Sequence, residues 1–175
     1  MMAVNPPGRA IVLTESPEAG EARYQGIATA IDEVVSDPAE PPLFGGRQGR
    51  AHTAMLLAAI SWHESGWRRD VDLGVGPFAR GDHGRSCSLF QFQLGAQGRT
   101  IEGWNCVELV SDRAKAARAA LHMVRRSQAA CPGAPSRAML ATYASGSCTG
   151  GLDESKAMVD TARRWLARHP PPAPP

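Results

Sequence analysis

The stretch RAHTAMLLAAISWHE, Arg50 to Glu64, is apolar or small at nearly every position. Met55, Leu56, Leu57, Ile60 and Trp62 are spread around the whole helical circumference instead of forming one stripe, which is the pattern of a helix enclosed by protein. Its apolar core, Ala54 to Ile60, stops far short of the roughly 18 residues a bilayer crossing needs, so no membrane span is expected. Gly66, just past the end, is a suitable helix stop. A buried central helix makes the fold mainly α. Glu64 closes it, and a carboxyl at a helix C-terminus against apolar surface has its charge disfavoured by both the dipole and burial. An arbitrary Glu at a helix end is nonetheless an ordinary solvated residue, so a catalytic role needs support from the rest of the chain.

Working outward, Tyr24, Ile27, Ala28, Ile31, Val34 and Val35 recur at spacings of three and four, an amphipathic helix over Ala22 to Val35 that Pro38, Pro41 and Pro42 end. Residues 66 to 105 are glycine-rich, which suits a loop region with short strands around Ser88 to Phe92. Helical spacing returns at Ala114 to Val124, Arg137 to Ala144 and Ser155 to Leu166. Residues 1–21, with Pro6, Pro7, Gly8, Pro17 and Gly20 and no periodicity, read as a mobile arm, and 170–175 as an extended proline-rich tail. One domain, residues 22–169, lies between them. No internal repeat is found.

The 175 residues are 43% apolar, enough to bury one real core. Nineteen Lys and Arg against 17 Asp and Glu leave a net charge of only +2, far from the basic stripe that tracks phosphates, so nucleic acid is not an expected partner. Arg9 is followed by too short an apolar run for a secretory h-region, and no signal peptide is recognised. Cys87, Cys106, Cys131 and Cys148 lack the paired C-x-x-C spacing of a zinc site and read as disulfides. Three pairings are possible; Cys131 with Cys148 and Cys87 with Cys106 would each close a local loop. Four buried thiols are the alternative.

Three motifs then fall in order. Ile60-Ser61-Trp62-His63-Glu64-Ser65-Gly66-Trp67 resembles the Glu-Ser signature of the soluble lytic transglycosylases and goose-type lysozymes. Gly81-Asp82-His83-Gly84 through Ser88-Leu89-Phe90-Gln91 is similar to their Gly-Asp-x-Gly followed by Gly-Leu-Met-Gln, and Ala141-Thr142-Tyr143-Ala144-Ser145-Gly146 to their Ala-Tyr-Asn-Ala-Gly. The resemblance covers about residues 45–169. It implies a lysozyme-like domain with the glycine-rich loop or small β region beside an active-site groove, lying between the Glu64 helix end and the segment 70–105. It further implies cleavage of the β-1,4 bond between N-acetylmuramic acid and N-acetylglucosamine in peptidoglycan, by a monomer that needs no cofactor or metal and acts outside the cytoplasm.

By the same resemblance Glu64 is the catalytic acid, Asp82 matches the first of the carboxylates found in goose-type enzymes, and Ser65, Gln91 and Tyr143 line or support the groove as substrate-binding residues. Tyr143 would position Glu64 by a hydrogen bond; its alternative is a ring in the core, and for Gln91 a turn-stabilising amide. Ser88 and Phe90 depart from the family's glycine and methionine, which implies a narrower groove floor. Ser145 replaces an asparagine, and Gln93 stands where a second carboxylate is often found.

The mechanism divides on that second carboxylate. An inverting hydrolase needs one roughly 6.5–9.5 Å from the acid to activate water, and Asp82, Asp70 and Asp72 are candidates. A transglycosylase needs none: the substrate's acetamido group assists, and deprotonated Glu64 acts as base on the C6 hydroxyl to leave a 1,6-anhydro end. The anhydro route is the first expectation, hydrolysis the second, and a non-catalytic wall-binding module a third. A zinc protease is excluded, because the second His of its motif would fall where Trp67 stands.

Overall fold

The computed structural model describes residues 15–76, 78–135 and 138–171. Residues 1–14 of the expected arm and 172–175 of the expected tail lie outside them, as does Arg137, where one of the weaker helical stretches was expected to start.

Helix α1 spans Pro17–Ser36 and corrects the placing of residues 17–21 in a mobile arm. The Ser16 hydroxyl accepts from the Ala19 N–H at 3.2 Å, and Pro17 sits at the first helical position, where its missing N–H has no intrahelical partner to lose. Proline here starts a helix instead of breaking one. Helix α2 is Gly49–Ser65, ended by Gly66 at φ +58°, whose N–H donates to the Trp62 carbonyl at 2.7 Å.

A short α3, Arg69–Leu73, follows, then a one-turn 3₁₀ segment at Asp82–Gly84. Strands β1, Ser86–Cys87, and β2, Phe92–Gln93, pair antiparallel with Ser86 opposite Gln93. Two short strands were expected around Ser88 to Phe92; β1 ends just before that range and β2 starts at its last residue. Helix α4, Cys106–Ser111, was not expected; a capping box holds its start, with the Asn105 side chain accepting from the Glu108 N–H and the Glu108 side chain from the Asn105 N–H. Helices α5, Arg113–Ala130, α6, Ala141–Ser145, and α7, Leu152–Arg168, complete a mainly helical chain.

The described residues form two compact units, each from separate stretches: those up to Val34 with Ser61–Ala119, and Val35–Ile60 with those from Ala120 onward. In the first, Tyr24, Ile27, Ile31, Trp67, Phe90, Phe92 and Leu109 are buried, with the Tyr24 and Trp67 rings 5.7 Å apart. Arg23 is buried too. It forks onto the Glu15 carboxylate, donates to the Trp67 carbonyl at 2.9 Å and lies 3.8 Å from Asp72. Arg113 makes a two-pronged pair with the same Asp72 at 2.8 and 2.7 Å, and Arg68 pairs with Asp70. Removing one member of such a buried set strands a charge, at a cost of about 3–5 kcal/mol.

The second unit buries Leu56, Leu57, Ile60, Leu121, Val124, Leu140, Met158 and Val159. Glu40, also buried, is held by His122 at 2.9 Å and by Arg125. Cys131 and Cys148 form a disulfide with Cα atoms 5.6 Å apart, which contributes about 3 kcal/mol by restricting the unfolded chain. Cys87 and Cys106 are buried free thiols, which corrects the reading of all four cysteines as bridged. No described helix is long and apolar enough to cross a membrane.

Candidate active site

Glu64 lies in the last turn of α2. Its side chain is half-buried, and its pKa is raised from 4.5 to about 7, first by desolvation and then by the negative charge of Asp82. A carboxyl in this state holds its proton close to neutral pH and has it to give. The chain around it is pinned. The Ser65 hydroxyl donates to the Ser61 carbonyl at 2.6 Å and accepts from the Trp67 N–H at 3.2 Å. Trp67 Nε1 donates to the Ser61 hydroxyl at 2.9 Å. Ser65 is thereby spent on the helix end and supports the site; it is buried, not presented to a ligand.

Asp82 is exposed and in the opposite state. One of its oxygens, Oδ2, accepts from the Ser86 hydroxyl at 2.6 Å and from Gln93 Nε2 at 2.9 Å. These two bonds hold its carboxyl below the usual carboxylate range. Ser86 and Gln93 are cross-strand partners of β1 and β2, so the strand pairing is what brings both donors to one carboxylate. Sequence reasoning noted Gln93 as a missing acid and overlooked its role as a donor; the short i, i+4 spacing from Asp82 to Ser86 carried no recognisable signal.

Gln91 bridges the same loop. Its Oε1 accepts from the Gly81 N–H at 2.8 Å and its Nε2 donates to the Ser88 carbonyl at 2.8 Å. Both ends of the amide are thus engaged within the loop, which favours the turn-stabilising alternative over a substrate contact. A Cβ on Gly81 would come within 2.7 Å of that Oε1, so the glycine allows the approach. Ser88 and Phe90, expected to narrow a groove floor, are each 2% exposed and belong to the interior; Phe90 stacks on Phe92 at 5.8 Å.

Every described non-glycine residue at positive φ lies between Trp67 and Gln91: Trp67, Asp82, His83, Ser88 and Gln91. Such conformations cost on the order of 1 kcal/mol or more each and persist where the surroundings over-determine them, as at functional sites. Asp70 and Asp72 are removed from the candidates for a water-holding carboxylate, because both are buried and committed to arginines. Tyr143 lies on α6 in the second unit, half-buried, with its N–H donating to the Ser127 hydroxyl at 3.3 Å.

The structure therefore brings Glu64 and Asp82 within electrostatic reach of each other, with Ser65 bonded into the chain next to Glu64 and Gln91 bonded to Gly81, next to Asp82. Among the described residues, no group of three or more His, Cys, Asp and Glu side chains is placed to hold a metal ion. A cavity of about 950 Å³ in the first unit is lined from α1, α3 and α4; Glu64 and Asp82 are not among its lining residues. Compared with protein-family models, curated proteins and solved structures, the chain matches none.

Proposed function

We propose that this protein cleaves the β-1,4 bond between N-acetylmuramic acid and N-acetylglucosamine in bacterial peptidoglycan, with Glu64 as the general acid. The observation that carries the reading is the pair of carboxyls driven apart: Glu64 raised to about 7 and Asp82 lowered. One group protonated and one ionised at the same pH is the division of labour that glycosidic cleavage requires. The choice of peptidoglycan rests on the resemblance of the three ordered motifs to the lytic transglycosylases and goose-type lysozymes.

In this reading Glu64 protonates the departing sugar oxygen while positive charge develops at the anomeric carbon. In the anhydro route the acetamido oxygen of the substrate stabilises that charge, and the Glu64 carboxylate then takes the C6 hydroxyl proton as that oxygen closes on the anomeric carbon. A specific observation favours a second reading, hydrolysis: the Asp82 anion, fixed near Glu64 by Ser86 and Gln93, is a carboxylate that can hold and orient a water on the way to a reducing end, although the same two bonds make it a weak proton acceptor.

Digestion of purified peptidoglycan by the wild type, Glu64→Gln and Asp82→Asn, read by mass spectrometry, tests this. Anhydro ends from the wild type and from Asp82→Asn support the first route. Reducing ends that vanish in Asp82→Asn support the second. Equal product from Glu64→Gln and wild type overturns Glu64 as the acid, and glycan binding without product from any of them leaves a binding module.

A further inference from the structure

Two groups in the first unit have no part in that chemistry. Cys87, on β1, is 1% exposed, and Cys106, at the start of α4, is 8% exposed. Strand β1 and helix α4 are in contact, the two thiols lie within side-chain interaction range of each other, and both line the 950 Å³ cavity. The chain already carries a disulfide, Cys131–Cys148, and conditions that keep one bridge also favour oxidation of a second pair within reach.

We propose that Cys87 and Cys106 are a redox modification site: a thiol pair that closes to a second disulfide in the presence of a small disulfide oxidant, and reopens when reduced. The ring so formed encloses Ser88 to Asn105, and with it β2, Gln91 and Gln93. Cys87 adjoins Ser86, so the bridge ties the strand that grips Asp82 directly to α4. In the open state that strand is held by its short ladder, by packing and by the bonds of Ser86 to Asp82 and to the Gly81 carbonyl.

With oxidised glutathione as the oxidant the balance is as follows. One cysteine thiolate attacks a glutathione sulfur, the glutathione S–S bond breaks, and one reduced glutathione leaves. The second cysteine, as thiolate, attacks the protein sulfur of the mixed disulfide and expels the other glutathione. The two cysteine protons pass to the two departing thiolates; both cysteine sulfurs are oxidised and the glutathione disulfide is reduced. The cavity gives the route of entry. Burial, and after it the neighbouring Cys106, hold the Cys87 thiol above its ordinary pKa and slow the exchange, while the positive charge of Arg80, which lines the same cavity, opposes that rise only in part.

The test does not depend on the proposed activity. The full chain is equilibrated with oxidised glutathione, unfolded, alkylated and mapped by peptide mass spectrometry. Two alkylated residues before oxidation, Cys87 and Cys106, should fall to none afterwards, with a cross-linked Cys87–Cys106 peptide, a protein mass lighter by two hydrogens and slower amide exchange over residues 86–93. In Cys106→Ala the protein bridge should be lost and Cys87 left alkylatable or carrying glutathione. Persistence of two alkylatable thiols in the wild type, glutathione adducts that never resolve, or a bridge from Cys87 or Cys106 to Cys131 or Cys148 would each overturn the proposal. The wild-type map decides even if the variant does not fold.

Discussion

The end of α2 and the β1–β2 hairpin each present one carboxyl, and they treat it in opposite ways. At the helix end Glu64 is withdrawn from water and feels the negative charge of Asp82, and its pKa climbs to about 7. At the hairpin Asp82 stands in solvent with two donors on one oxygen, and its pKa falls. The same functional group is made an acid by withholding partners and an anion by supplying them. Each state also reinforces the site, since the Asp82 charge helps keep the proton on Glu64.

The largest effect that would break this contrast is on turnover. Glu64→Gln keeps the shape and removes the transferable proton, so glycan cleavage should fall by about 10²–10⁴-fold; a smaller loss in muropeptide release would mean that the two carboxyls are not differentiated for catalysis. The pH profile sharpens the same point. Activity should decline above about pH 7 as Glu64 loses its proton, and Asp82→Asn should move that alkaline limb to lower pH, because a like charge next to Glu64 is gone. An unmoved limb in the kcat/KM profile would uncouple the pair.

Stability supplies the next test, with a definite sign. Folded Glu64 keeps its proton up to about pH 7, whereas the unfolded chain releases it near the ordinary value of 4.5, so the folded state binds more protons between those values. Its contribution is fully present below about pH 4.5 and is lost as the pH rises through about 7. That amounts to about 3 kcal/mol at most, less what partial solvation of the carboxyl removes. Urea unfolding of the wild type and Glu64→Gln at both ends of the window should show the wild type losing stability relative to the variant as pH rises. Asp82 has the opposite sign: its stabilising effect is present above its unfolded pKa and lost as pH falls through the lowered folded one. The smallest effect is local. Ser88 at φ +65° occupies the left-handed region that glycine tolerates freely, so Ser88→Gly should raise stability by about 1 kcal/mol in thermal unfolding.

Much of the helical layout was legible from periodicity. The buried α2 showed as apolar residues on all sides of one helix, and α7 as a single stripe of Met158, Ala162 and Trp165, all buried. The start of α1 was misread because Pro17 breaks a helix interior yet suits a first turn, and composition does not tell which applies. Helix α4 had a local signal, Asn105 followed by Glu108, that only becomes persuasive when read as a capping box.

In the candidate site, Glu64 and Asp82 were legible as residues but their protonation states were not, and neither were the bonds that commit Ser65 to the helix end and Gln91 to its loop. Helices, their stops and the residue types that can carry a proton are local properties, fixed by spacings of a few residues and so written in the chain order. Which carboxyl is buried, which is gripped, and that Asp72 belongs to arginines 41 and 49 positions away depend on groups that folding gathers from distant stretches. Desolvation and hydrogen bonding act through space, and no pattern along the chain encodes them directly.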